Sequence, residues 1–356
     1  MRRALLGLVV VSAAWAQEAG SGLELRSTLT GEGFYADALT QAPRNGDSVS
    51  GGFRGMLYPV WKWNQHWSVE ATVQVHSRPY FTDEFSTQGF GVRADILQAH
   101  LNYTRFWKDA SLTVRAGELS TAFGSFLLRY DDMQNPLVDV PVSYGYYGGT
   151  TLLSLAGVQV DASVHKFDAR AQFVNSSPAN RRSIFDSDQY GSWAGGVGYT
   201  IAQGFRVGAS VYRGPYLDRH YPFYFPGEAK PRDLPGTAVG IDVAWGRGPW
   251  NVCGEWQRFQ MDYEAIPTFH EQVGYGEVRR VLSPRWYLAE RISYLSASAF
   301  PGYQVYETAV GYRPGAQQLV KVGYEAEQGS AIKGTQNNVF AVQYVIALRA
   351  FSFGRY

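Results

Sequence analysis

Apolar and polar residues alternate one for one in segment after segment of this chain. Between Trp67 and His76, the residues Trp67, Val69, Ala71, Val73 and Val75 interleave with Ser68, Glu70, Thr72, Gln74 and His76. Val158, Val160, Ala162 and Val164 interleave with Gln159, Asp161, Ser163 and His165, and Phe205, Val207, Ala209 and Val211 with Arg206, Gly208 and Ser210. Successive side chains of a strand point to opposite faces, so each segment becomes a strand with one greasy and one wet side. Beyond the first residues, no stretch of comparable length carries an apolar stripe at the helical spacing. The alternation predicts an all-β chain.

The connections narrow the choice, because their lengths alternate too. Tight turns are predicted at Asn64-Gln65-His66, Lys108-Asp109, Lys166, Ala202-Gln203-Gly204, Gly246–Pro249, Ser283-Pro284-Arg285 and Pro314–Gln318. Longer loops are predicted near 36–51, 79–90, 119–154, 175–191, 213–236, 261–272, 296–304 and 328–338. This interleaving joins about sixteen antiparallel strands and puts both chain ends on the short-turn side. An open sheet has no reason to sort its loops this way, whereas a bacterial transmembrane β-barrel has an even strand count, short inner turns and long outer loops. Closure is also what lipid demands, since a free strand edge there leaves backbone groups without partners.

Aromatic residues, 24 Tyr, 20 Phe and 10 Trp, gather beside the short turns. Trp61, Trp63 and Trp67 flank the first, Phe106 and Trp107 the second, and Phe167, Phe205, Trp245, Trp250 and Trp286 the later ones. Rings with a polar edge settle at a membrane–water boundary, so this row reads as a girdle. The last segment alternates from Phe340 to Leu348 and then changes parity at Phe351, Phe353 and Tyr356. An amphipathic final strand with an aromatic end resembles the signal read by the outer-membrane assembly machinery.

The chain's start sets the compartment. Arg2 and Arg3, the apolar run Ala4–Ala14 and the small residues of Ala14-Trp15-Ala16 have the layout of a secretory signal peptide, 1–16, leaving a barrel domain over 17–356. The expected location is the outer membrane, with lipid and lipopolysaccharide as surroundings. One cysteine, Cys253, excludes internal disulfides. Without Arg2 and Arg3 the 32 basic residues fall to 30, against 31 acidic, which gives no footprint for nucleic acid.

At the third long loop, Arg115-Ala-Gly-Glu-Leu-Ser-Thr-Ala-Phe-Gly124 resembles the strand-to-loop segment of the phosphate-selective porin superfamily, with Gly117, Phe123 and Gly124 as matching positions. Over nearly the whole mature length the chain is similar to a porin family of environmental Gram-negative bacteria. The resemblance implies a passive channel for small polar solutes, a homotrimer, and a third loop, here 119–150, folded into the lumen to narrow it.

The chain departs from that group in lacking a basic pore ladder. Inward positions include Arg115, Arg170, Arg206, Lys321 and Arg349, against Glu70, Asp161, Asp242, Glu255 and Glu325, with His100 also on a polar face. The third loop adds Arg129 with Glu118, Asp131, Asp132 and Asp139. Rings of charge set which ions enter a pore, so this balance predicts weak selectivity leaning to cations. Arg115 and Arg129 facing Glu118, Asp131 and Asp132 would set up a transverse field at a constriction. The competing reading makes some of them structural salt bridges, since buried charges need partners.

Enzyme chemistry finds little purchase. The six histidines lack metal-ligand spacing, His76-Ser77 has no nucleophile elbow around it, and Asp186-Ser-Asp188 offers two carboxylates where calcium takes six to eight oxygens. No cofactor or metal is implied. The alternatives to a general porin are a channel specific for an anion or organic solute, and a barrel-borne enzyme or adhesion scaffold.

Overall fold

The computed structural model describes residues 21–37, 48–78, 80, 91–145, 155–175, 191–215, 234–263, 267–298, 300–329 and 338–354. The leader 1–16, Asp186-Ser-Asp188, Tyr356 and most of 213–236 lie outside them. Sixteen strands follow one another: β1 (Gly22–Ala36), β2 (Val49–Lys62), β3 (Trp67–Arg78), β4 (Gly91–Phe106), β5 (Ala110–Leu119), β6 (Leu155–Val164), β7 (Phe167–Asn175) and β8 (Gly191–Ala202). Then come β9 (Phe205–Pro215), β10 (Pro235–Arg247), β11 (Trp250–Met261), β12 (Phe269–Val281), β13 (Trp286–Ala297), β14 (Phe300–Tyr312), β15 (Gln318–Gln328) and β16 (Asn338–Gly354). Each pairs antiparallel with its sequence neighbours, and β1 pairs with β16, which closes the barrel.

The alternation sorts side chains to two faces. Phe53 and Leu57 on β2, Val197 on β8, Val211 on β9, Ile241 on β10 and Phe340 and Val342 on β16 are exposed on the outside. Their neighbours Arg54, Met56, Ser210, Gln343 and Ala341 are buried inside. The parity change near the C-terminus has a local cause. Ser27 pairs with Leu348 but Leu25 with Phe351, so β16 carries one extra residue opposite Arg26. A bulge of this kind flips the faces that follow it, which returns Phe351 and Phe353 to the outside.

Girdle residues stack where the sequence places them. Trp61 meets Trp63 edge-on (5.6 Å between centroids), Phe167 lies on Tyr199 (4.7 Å) and Trp286 on Tyr312 (4.5 Å). Arg280 sits over the Trp250 ring (4.9 Å).

One expectation about the connections fails. The long loop predicted at 296–304 is not there, since β13 runs to Ala297 and β14 begins at Phe300. Its Ser, Ala, Pro and Gly read as loop composition, yet β14 pairs from Phe300 onward after an irregularity between Leu295 and Ala297. The Ser298 hydroxyl accepts from the His270 amide (2.9 Å), tying the end of β13 to the start of β12.

Candidate functional site

The candidate site is the segment that leaves β5 after Leu119. Gly117 holds φ = +138°, and a Cβ there would collide with the Ala99 carbonyl, so the strand end packs too closely for a side chain. Gly124 holds φ = +82°, and a Cβ there would strike the Tyr144 hydroxyl and the Glu255 carboxylate. Between them Phe123 is buried edge-on against Phe259 of β11 (5.6 Å). Two short 3-10 turns follow, Phe126–Arg129 and Val142–Tyr144. In the turn at 131–135, the amides of Gln134 and Asn135 donate to the Asp131 carbonyl, and the Met133 amide donates to its side chain (each 2.8 Å).

Residues 120–145 then bond to wall strands right round the barrel. On β1, Thr28 donates to Asp131 and Thr30 to Asp132 (2.7 Å each). Tyr58 of β2 also donates to Asp131, while Arg54 of β2 reaches Asp132 (3.0 Å) and lies over the Tyr130 ring (4.4 Å). Tyr80 adds a third donor to Asp132 (3.0 Å). Across the barrel, Gln172 of β7 donates to the Ser120 carbonyl (2.6 Å), and Ser210 of β9 accepts from the Gly124 amide (3.3 Å). A segment bonded to opposite walls of a closed sheet crosses its interior.

The remaining anchors are charged. Lys321 of β15 places its Nζ on three main-chain carbonyls, those of Asp132, Asn135 and Leu137, at 3.0, 3.2 and 2.8 Å. All three ammonium donors are used, which is how a wholly buried lysine is tolerated. Arg129 donates to Glu277 (2.5 Å) and Tyr275 (2.7 Å) of β12. Glu277 also pairs with Arg291 of β13 (3.4 Å), which grips Glu307 of β14 and donates to the Asp139 carbonyl (2.7 Å). Glu255 of β11 accepts from Tyr144 (2.7 Å) and Ser125 (3.1 Å). Burial opposes the Arg129 charge, but Tyr275 and Glu277 hold the guanidinium above its ordinary pKa. Burial, aided by the Glu255 charge, pushes the Tyr144 hydroxyl well up, so it stays a donor.

The predicted residues fall into distinct places. Arg129, Asp131 and Asp132 lie on the crossing segment, but each is bound to the wall rather than facing the others. Lys321 and Glu255 point inward beneath the segment, 0% and 5% exposed. Glu118 departs from its expected place. It lies on the outward parity of β5 with Val114, opposite to Arg115 and to Leu119, which packs inside with Leu155 and Val174. Positions three apart in a strand face opposite ways, and β5 runs to Leu119 before the chain turns in.

Most of the other predicted residues stand on strands β3–β10, while Glu325 is on β15 and Arg349 on β16, and His100 among them is buried. Arg115 pairs with Asp161 (3.2 Å), each about a third exposed. Arg206 bridges Asp168 (2.6 Å) and Asp242 (2.7 Å). Arg170 sits opposite Asp161 in register, and Glu70 opposite His100, whose ring shares a hydrogen bond with Asn102 (2.7 Å). A recess between the segment and β1, β14, β15 and β16 is lined by the carboxyl residues Glu32, Asp139, Glu307 and Glu325, and by no basic residue.

Sequence reasoning did not single out Arg54, Tyr275, Glu277, Arg291 or Glu307. For Tyr275, Glu277 and Arg291 the signal was present around 271–295, where charged residues occupy both faces of β12 and β13.

No protein-family model matches the chain, and no curated protein matches its sequence. Its fold is similar to solved outer-membrane barrels. One is the outer membrane channel DcaP of Acinetobacter baumannii (TM-score 0.62, 12% identity, 93% of this chain and 99% of that one). A second is an anion-selective porin from Comamonas acidovorans (0.62, 9%, 93% and 100%). A third is the trimer form of OmpT, an outer membrane protein of Vibrio cholerae (0.60, 12%, 93% and 100%).

Proposed function

We propose that this protein is an outer-membrane porin, a homotrimeric passage through which ions and small hydrophilic solutes diffuse passively. The observation that carries the reading is the division of one closed wall into an apolar outer face and a charged, water-reachable inner face, with the segment 120–145 crossing the interior. An outer face of Val, Ile, Leu and Phe suits lipid, and inward pairs such as Arg115–Asp161 and Asp168–Arg206–Asp242 suit a hydrated passage. The segment 120–145 sets its width. The likeness to a channel and a porin at 9–12% identity speaks to fold, and agrees with this use of it.

The selectivity we assign is weak and favours cations. The Comamonas protein is described as anion-selective. Here Arg115 and Arg206 of the inner face are paired with carboxylates, and the recess beside the segment carries four acidic residues. Liposome swelling with sugars of graded size tests the channel, and absence of flux would remove it. Flux appearing only once the segment is released would make the segment a plug. A planar-bilayer reversal potential under a salt gradient tests selectivity. Strong anion preference would favour the reading as a specific anion channel.

A further inference from the structure

The short-turn end of the barrel carries an excess of cations on its lipid side. Arg105, Arg247 and Arg280 stand at outward positions of β4, β10 and β12, and Lys108, Lys166 and Arg285 stand on the turns, all of them exposed. Among the described residues, Asp109 is the one carboxylate on these turns. Other charges at this end face inward: Glu24 pairs with Arg26 (3.3 Å), and Lys62 and Arg313 look into the barrel. Two further outward arginines, Arg213 of β9 and Arg258 of β11, lie at the long-loop end and belong to the other leaflet.

The cations are most closely grouped around Trp250. In register, Trp250 of β11 stands between Arg247 of β10 and Arg280 of β12, and the Arg280 guanidinium lies over its ring (4.9 Å). Neighbouring strands are about 4.8 Å apart, so the two arginine backbones are about 10 Å apart with an indole between them. Neither arginine has an ion pair among the described residues. The outward carboxylate Glu290 is two places along β13 from Leu288, the register partner of Arg280, and is paired with neither. Trp245, Trp250 and Trp286 belong to the girdle, which sets this group at the level of lipid headgroups rather than tails. Guanidinium groups meet phosphate oxygens with two parallel N–H bonds and also stack on aromatic faces.

We infer that Arg247, Trp250 and Arg280 form a binding site for the phosphate of an anionic phospholipid in the leaflet on the short-turn side. A zwitterionic headgroup carries its own ammonium, which offsets the attraction, so the site prefers phosphatidylglycerol to phosphatidylethanolamine. The inference rests on the outer-membrane reading of the barrel and not on its conducting solutes.

The test titrates the full chain in detergent micelles with either lipid, matched in acyl chains, and reads bound lipid by native mass spectrometry. Phosphatidylglycerol is expected to bind about ten-fold more tightly, and Arg247→Gln combined with Arg280→Gln to abolish the preference. Equal affinities for the two lipids overturn the site, as does a preference that survives the double variant. Lys62→Gln removes a cation from the same end but from the inner face, and should leave the preference intact. Its loss there would show diffuse charge in place of a site. Arg247→Lys with Arg280→Lys keeps the charge and loses the paired bonds, so about a three-fold preference should remain. Heat-modifiable electrophoretic mobility confirms that each variant is a folded barrel. Liposome swelling on the same preparations reports the channel separately: absence of flux with the lipid preference retained would remove the porin reading and leave this site.

Discussion

Two halves of the barrel interior carry the same residue types and use them differently. On β11–β16 with β1 and β2, charges such as Arg54, Glu277, Arg291 and Lys321 are buried under the crossing segment and bonded to it or to one another. On β4–β10, Arg115, Asp161, Asp168 and Arg206 pair with their neighbours in the wall and keep a quarter to over a third of their side-chain surface in water. The period-two rule treats the two halves alike, because it fixes the face and not what covers it. Cover decides the energetics. A buried charge stripped of its partner is a large penalty, while an exposed pair contributes little.

Asp132→Ala is the strongest way to break this contrast. It leaves Arg54, fully buried, without its carboxylate, and the docked segment should lose about 3–5 kcal/mol. The expected result is a larger, noisier single-channel conductance and protease cleavage between residues 120 and 145. Unchanged conductance with a protected segment would mean that Asp132 does not hold it. Gly124→Ala should act in the same direction at about 1–3 kcal/mol, through a strained φ and collision with Tyr144 and Glu255. Gly33→Ala, with open space at its Cβ, should leave conductance unchanged. If both alanines behaved alike, the packing argument at Gly124 would fail.

Much of the wall was legible because alternation is enforced by solvent on two sides at once. Val69, Ala71 and Val73 face out for the same reason that Glu70 and Thr72 face in. The close succession of β13 and β14 was not, since Ser296-Ala297-Ser298-Ala299 has loop composition and only the pairing of Phe300 with Ala297 reveals it. The motif glycines were visible, but their reason was not. Gly124 is fixed by Tyr144 and Glu255, twenty and more than a hundred residues away. The anchors Arg291 and Glu307 were illegible as anchors. An inward arginine has the same spacing whether it meets water or the Asp139 carbonyl. Glu118 shows the converse, because parity alone separates it from Arg115.

The smallest effect sharpens the comparison from the wetter half. Arg115→Gln removes a cation whose pair with Asp161 is about a third exposed, so stability should change by less than about 1 kcal/mol. Asp161 then faces the passage without that cation, and the reversal potential should move by a few millivolts toward cations with conductance nearly constant. Urea-unfolding midpoints in lipid vesicles, read beside those of Asp132→Ala, check the first point, and bilayer recordings check the second. A stability loss as large as that of Asp132→Ala would show that Arg115 is structural too. The two halves would then differ in exposure but not in role.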